Sequence, residues 1–167
     1  MKNDRVLTAI FCDDIRKEEG NKLSYMGVYT GFLGVTSFPA VLPRLCVALT
    51  LRLSPDMVPI NELRFRLCID DAVSAEFAVP AEALANSKLT ASKIGDDRFA
   101  QFATIFQMFP VQLSGPCSIR ARAICDGEEI KGGSLTIVEQ KDMERAVRAA
   151  VGLEDVPARN GIPRLGE

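Results

Sequence analysis

Leu45, Val47, Leu49, Leu51 and Leu53 alternate with Cys46, Ala48, Thr50 and Arg52. A period of two lines one face of a strand with apolar side chains and leaves the other face polar. The same alternation returns at Leu63, Phe65, Leu67 and Ile69, interleaved with Arg64, Arg66, Cys68 and Asp70. A turn at Asp71-Ala72 leads to Val73, Ala75, Phe77 and Val79, with Ser74 and Glu76 facing outward. From Cys117 to Val138 the pattern runs up to Asp126-Gly127 and away from it again. An Asp-Gly pair tolerates the positive φ of a tight turn, so this segment predicts a β-hairpin.

The remaining segments are less regular. Val6–Ile15 is apolar on both parities and reads as a central strand, followed by a charged turn from Arg16 to Lys22. Leu23–Val35 reads as a second strand interrupted by Gly27, Gly31 and Gly34, where a bulge or a close backbone approach is expected. Ser37–Pro43 and Thr90–Arg98 read as loops, and Ala81–Asn86 as one or two helical turns behind Pro80. Phe99–Phe109 reads as a buried strand, with a helix as the competing reading. About eight short strands with regular turn signals predict an all-β fold, an antiparallel two-sheet β-sandwich of immunoglobulin-like or C2-like type over residues 1–139. The period changes after Gln140. Met143, Ala146, Val147, Ala150 and Val151 fall on one face of a helix at 141–151, with Gly152 as its stop. Residues 140–167 are therefore expected to form a short amphipathic helix and a flexible tail.

Composition narrows the function. A chain of 167 residues with 47% apolar and 25% charged residues fits one globular domain. A net charge of −2 gives no basic excess for a polyanion, so nucleic acid is not an expected partner. No apolar run approaches the ~20 residues that span a bilayer, and Val6–Cys12 runs into Asp13-Asp14 rather than a cleavage site. A soluble protein without a membrane role is expected. The five cysteines, Cys12, Cys46, Cys68, Cys117 and Cys125, form no Cys-x-x-Cys pair and read as buried free thiols of a reducing cytoplasm. Histidine is absent, which excludes Ser–His and Cys–His catalysis and every histidine-ligated metal. No catalytic constellation and no cofactor is expected.

Three groups of residues remain as candidates. Arg52, Arg64, Arg66, Arg120 and Arg122 all take the polar parity of their strands. On one sheet they would form a basic stripe for an anionic ligand or an acidic partner, because guanidinium forks suit carboxylate and phosphate. The competing reading is a solvated face whose long stems cover apolar surface. Asp13, Asp70 and Asp96, each within an Asp-Asp pair at a turn or strand end, are weak candidates for a calcium site. Aspartates also serve turns through their own hydrogen bonds. The helix, through Met143, Val147, Ala150 and Val151, is the best interaction candidate. It is too short to be stable alone and must dock on its own domain or on a partner.

The run Ala9-Ile10-Phe11-Cys12-Asp13-Asp14-Ile15-Arg16, then Gly20-Asn21-Lys22-Leu23-Ser24 and Met26-Gly27-Val28-Tyr29, resembles the opening of a small bacterial family known only as a domain of unknown function. Leu42-Pro43 and the Asp126-Gly127 hairpin fit its later part, so the resemblance covers about residues 5–138. It implies a bacterial, cytoplasmic, sandwich-like domain and carries over no activity or site residue. The expected function is a non-catalytic protein-binding or adaptor domain, with a protein partner or a homo-oligomer. The alternatives are a self-assembling structural subunit, of phage-derived or defence type, and a divalent-metal or anion-binding domain, up to a metal enzyme built on the aspartates.

Overall fold

The computed structural model describes residues 5–59, 61–89, 92–94 and 97–152. In chain order the strands are β1 (Arg5–Cys12), β2 (Asp14–Glu18), β3 (Lys22–Met26), β4 (Phe32–Val35), β5 (Ala40–Leu42), β6 (Leu45–Leu53), β7 (Leu63–Ile69) and β8 (Ala72–Ala78). Helix α1 (Ala81–Leu89) precedes β9 (Ser92–Ile94), β10 (Asp97–Met108), β11 (Val111–Leu113), β12 (Cys117–Cys125) and β13 (Glu128–Glu139), and α2 (Met143–Ala150) closes the described chain. The protein is mostly strand, in several open sheets, with a short C-terminal helix.

The two larger sheets have the orders β1-β6-β10-β9 and β4-β13-β12-β7-β8. Alternation explains both. In β12, Ile119, Ala121, Ala123 and Cys125 are buried while the residues between them are half-buried. In β7, Leu63, Phe65 and Leu67 are buried in the same way. These side chains, with Leu7 and Phe11 of β1, Leu45 to Leu53 of β6 and Leu135 and Ile137 of β13, belong to one core cluster fed by both sheets. Burying a side chain of this size is worth about 1.5–3 kcal/mol, which sets the register that the sequence pattern announces.

The structure revises several expectations. Thirteen strands occur among the described residues, because short strands form inside segments expected to be loops: β5 pairs with β11, and β9 with β10. Val6–Ile15 is not one strand. The Asp13 N–H leaves the ladder and donates to the carbonyls of Met26 at 3.0 Å and Gly27 at 3.3 Å, so β2 departs as a separate hairpin with β3. Leu23–Val35 is likewise divided, since Gly27 and Gly31 adopt φ of +63° and +94° and send β3 and β4 to different sheets. Among the described residues one pair is not antiparallel: β4 runs parallel to β13, with Phe32 opposite Thr136.

β1 was expected to be central and lies at an edge. Its second apolar parity is used on the far side of the sheet, where Cys12, Ile15, Cys46 and Ala48 form a second, smaller cluster. Its open edge approaches β13, which carries one extra residue opposite β12 between Ser134 and Lys131. A Cβ on Gly132 would stand 2.8 Å from Leu7 Cδ2 and 3.2 Å from Ala121 Cβ, so this glycine permits the approach. Phe99–Phe109 is strand rather than helix, and the last hairpin turns at Asp126 (φ +48°) and Gly127 (φ +85°), as its sequence predicts.

Candidate functional site

Pairing between β7 and β12 brings four of the five arginines to one sheet face. Arg66 lies opposite Arg122, Arg64 opposite Ile124, and Arg120 opposite Cys68. Arg52 is not among them. It stands on β6, in the other sheet, with its guanidinium carbon 3.8 Å from the centroid of the Phe99 ring. Parity fixes the side of a strand a residue takes, while the pairing decides which sheet that strand joins.

The four arginines already have acidic neighbours. Arg64 meets Glu62 at 2.7 Å and Glu76 at 3.3 Å, and Arg66 binds Glu76 closely. Arg120 reaches Asp71 at 3.1 Å, and Arg122 reaches Glu129 at 3.4 Å. The hydrogen bond from Arg66 holds the Glu76 carboxyl below its ordinary pKa, and the same bond raises that of Arg66. Four guanidinium groups facing four carboxylates make a cross-strand charge lattice rather than a bare cationic stripe. Sequence reasoning had placed Glu76 on the outward parity of its strand. Its role as the shared partner of Arg64 and Arg66 depends on the register between β7 and β8.

The aspartates serve the ends of strands. Asp70 adopts φ of +52°, and its Oδ1 accepts from the Ser118 N–H at 3.0 Å. Asp126 Oδ1 accepts from the N–H groups of both Asn61 and Glu62 at 2.9 Å, tying the hairpin turn to the strand beside it. Asp13 accepts a short hydrogen bond from the Tyr29 hydroxyl, and a Cβ on Gly27 would overlap its carboxylate. Burial and this carboxylate raise the Tyr29 pKa well above that of a free tyrosine. Asp14 accepts from Arg44 at 2.7 Å, which lowers its pKa. Asp96 lies outside the described residues. Among the described residues no three Asp, Glu or Cys side chains are gathered as a cation site.

Tyr25 lies on β3, which ends at Met26, and Tyr29 lies beyond it. Tyr25 stands on the hairpin β2–β3, which overhangs the outer side of the four-stranded sheet. Ile15, Leu23 and Tyr25 line an open groove of about 660 Å³ there, facing Ala48 and Ile105. Cys12 and Cys46 lie directly opposite one another, clustered with Ile15 and Ala48, and both are fully buried. Burial raises the Cys12 thiol to about 11 and also raises Cys46, so neither is an activated thiolate. Cys125 is buried, while Cys68 and Cys117 are half-buried, and all five are free.

Helix α2 docks through its first turn. Met143 and Gln140 lie against Gly34 of β4, where a side chain would collide with both. Ala146 is half-buried. Val147 remains 39% exposed, Val151 62% exposed, and Ala150 is exposed between them. The four interaction residues expected on this helix thus divide into one anchor, Met143, and three residues open to solvent. Among the described residues no helix is long and apolar enough to cross a membrane.

Residues 7–138 match the model of a family of unknown function, DUF6941. No curated protein matches the chain.

Proposed function

We propose that this chain, which belongs to the DUF6941 family of unknown function, is a non-catalytic protein-binding or adaptor domain of a bacterial cytoplasm. The observation that carries this reading is the exposed stripe of Val147, Ala150 and Val151 on a helix already held by Met143. A helix of this length has little stability of its own, so docking in cis presents a preformed apolar ridge at low entropic cost. The carboxylates facing Arg64, Arg66, Arg120 and Arg122 weigh against an anion site on that face.

The scaffold of this reading is a two-sheet sandwich of immunoglobulin-like rather than C2-like type. Its support is the strand order. β1-β6-β10-β9 follows the connectivity of strands A-B-E-D, and β13-β12-β7-β8 that of G-F-C-C′.

The test is affinity capture from a bacterial lysate with three baits: the whole chain, a truncation after Glu139, and a Val147→Asp/Val151→Asp variant. A partner held by the whole chain and lost with both alterations supports the helix as the contact. A partner retained by the double variant refutes it. The second reading, a self-assembling subunit, is favoured by a different surface, the outer edge of β8.

A further inference from the structure

Each large sheet ends in two edges, and among the described residues the edges at β1 and β4 are obstructed. β1 is closed by Gly132 and Gly133 of β13, packed against Leu7 and Ala9. β4 lies beside the chain that carries Gln140 and Met143. β9 has only three residues and covers only Asp97–Phe99 of β10, so a second open edge remains along the rest of that strand. β8 has seven, ends its sheet, and contains neither lysine nor proline. Its one charged residue, Glu76, is turned to Arg66 and Arg64. Phe77 on this strand is 42% exposed. Natural sheets blunt such edges with charge, proline or cover, and an open apolar edge is a template for another strand.

We propose that β8 pairs with β8 of a second copy, antiparallel, about a two-fold axis at Phe77. The register follows from the backbone. The Val79 N–H donates to the Leu63 carbonyl at 2.8 Å, and Phe77 lies opposite Phe65. In an antiparallel ladder the groups facing a given neighbour alternate, so Val79, Phe77 and Ala75 spend theirs on β7. The N–H and C=O groups of Glu76 and Ala78 therefore point outward.

An axis at Phe77 sets Glu76 of one copy opposite Ala78 of the other, and each pair exchanges two hydrogen bonds. The two Phe77 side chains meet at the close, non-hydrogen-bonded position. An axis at Glu76 would oppose two carboxylates. An axis at Ala78 would place Pro80, which has no N–H, where a donor is needed. An axis at Ala75 would run through the extra residue, Ser74, that breaks the register with β7. The strand is thus complementary to itself in one register, and this commits the edge to a second copy. The two-fold relation makes the contact isologous and closed, so assembly stops at two. This surface is separate from the α2 stripe, and either can fail without the other.

The experiment is sedimentation of the whole chain over a wide range of concentration, beside Ala78→Pro. Proline at 78 removes an outward N–H and leaves the β7 ladder intact, so the variant folds with the circular dichroism and melting temperature of the parent. The expected result is an 18.2 kDa species that doubles in mass as concentration rises, and an Ala78→Pro variant that stays single throughout. Phe77→Cys supplies a second measurement. With oxidised glutathione it should give a covalent dimer absent from the parent chain, because residue 77 meets itself only across this axis. A parent chain that stays single at every concentration overturns the proposal. So does a dimer that survives Ala78→Pro, or a Phe77→Cys variant that gives no covalent dimer.

Discussion

Two hairpins of this molecule turn on a pair of residues with positive φ. β2–β3 turns through Gly20 (+73°) and Asn21 (+59°), and β12–β13 through Asp126 (+48°) and Gly127 (+85°). Their local chemistry is the same, and their surroundings are opposite. β12 and β13 bury Ile119, Ala121, Ala123, Leu135 and Ile137 and lie at the middle of the five-stranded sheet. β2 and β3 bury Ile15 alone and hang beside the other sheet. Turn residues decide where a chain reverses. The apolar area placed behind the turn decides whether the hairpin is part of the cooperative core or an appendage able to open by itself.

Three changes test this contrast. The largest effect is expected from truncating the inner face of the core hairpin. Ile119→Ala should cost about 2–5 kcal/mol, read as a fall in the midpoint of denaturant unfolding. Leu23→Ala, on the partly exposed face of the other hairpin, should stay within about 0.5 kcal/mol. Similar costs at both positions would erase the distinction.

The second test is alkaline pH, using Cys125 of the core hairpin and Cys12, which stands just before the other hairpin. Burial raises both Cys12 and Cys125 from 9.0 to about 11. A folded-state pKa above the unfolded value means the native state holds the proton more tightly. The contribution of each thiol is therefore complete below pH 9 and is lost as pH rises toward 11. The melting temperature should fall across that window, and less so in a Cys12→Ala/Cys125→Ala variant measured against its own value at neutral pH. Parallel curves for the two proteins would remove the thiols from the account.

The smallest effect is expected from the turns themselves. Alanine at Gly127 meets open space and alanine at Gly20 only an ordinary contact with the Lys22 side chain, but each must hold a left-handed backbone, at a local cost of about 1–2 kcal/mol. At Gly127 that cost should appear in global unfolding. At Gly20 it should appear as faster amide exchange confined to residues 14–26, with the global midpoint unmoved.

The core hairpin was legible because its alternation is uninterrupted and its turn is Asp-Gly. The strands β6 and β7 were legible for the same reason. Other features depend on contacts between distant segments. The apolar second parity of Val6–Ile15 signalled burial on both faces, yet a strand beneath an overhanging hairpin and a strand in mid-sheet have the same pattern. Arg52 and Arg64 share a parity, and nothing local reveals that β6 and β7 enter different sheets. Among the candidate carboxylates, Asp70 and Asp126 follow the ordinary preference of aspartate for turns. The tie from Asp126 to Asn61 and Glu62 crosses 65 and 64 residues of chain, beyond the reach of any spacing rule.

The parallel pair of β4 and β13 joins residues 32–35 to residues 136–139. On a ribosome the earlier strand emerges long before its partner, and β1 likewise waits for the glycines of β13. The nascent chain must carry β4 unpaired, and one flank of β1 uncovered, until nearly the whole domain has been synthesised. A chain that stops a few residues before Glu139 would therefore leave β4 without its parallel partner while β1 still pairs with β6, so the placing of β4 is checked only when the domain is complete.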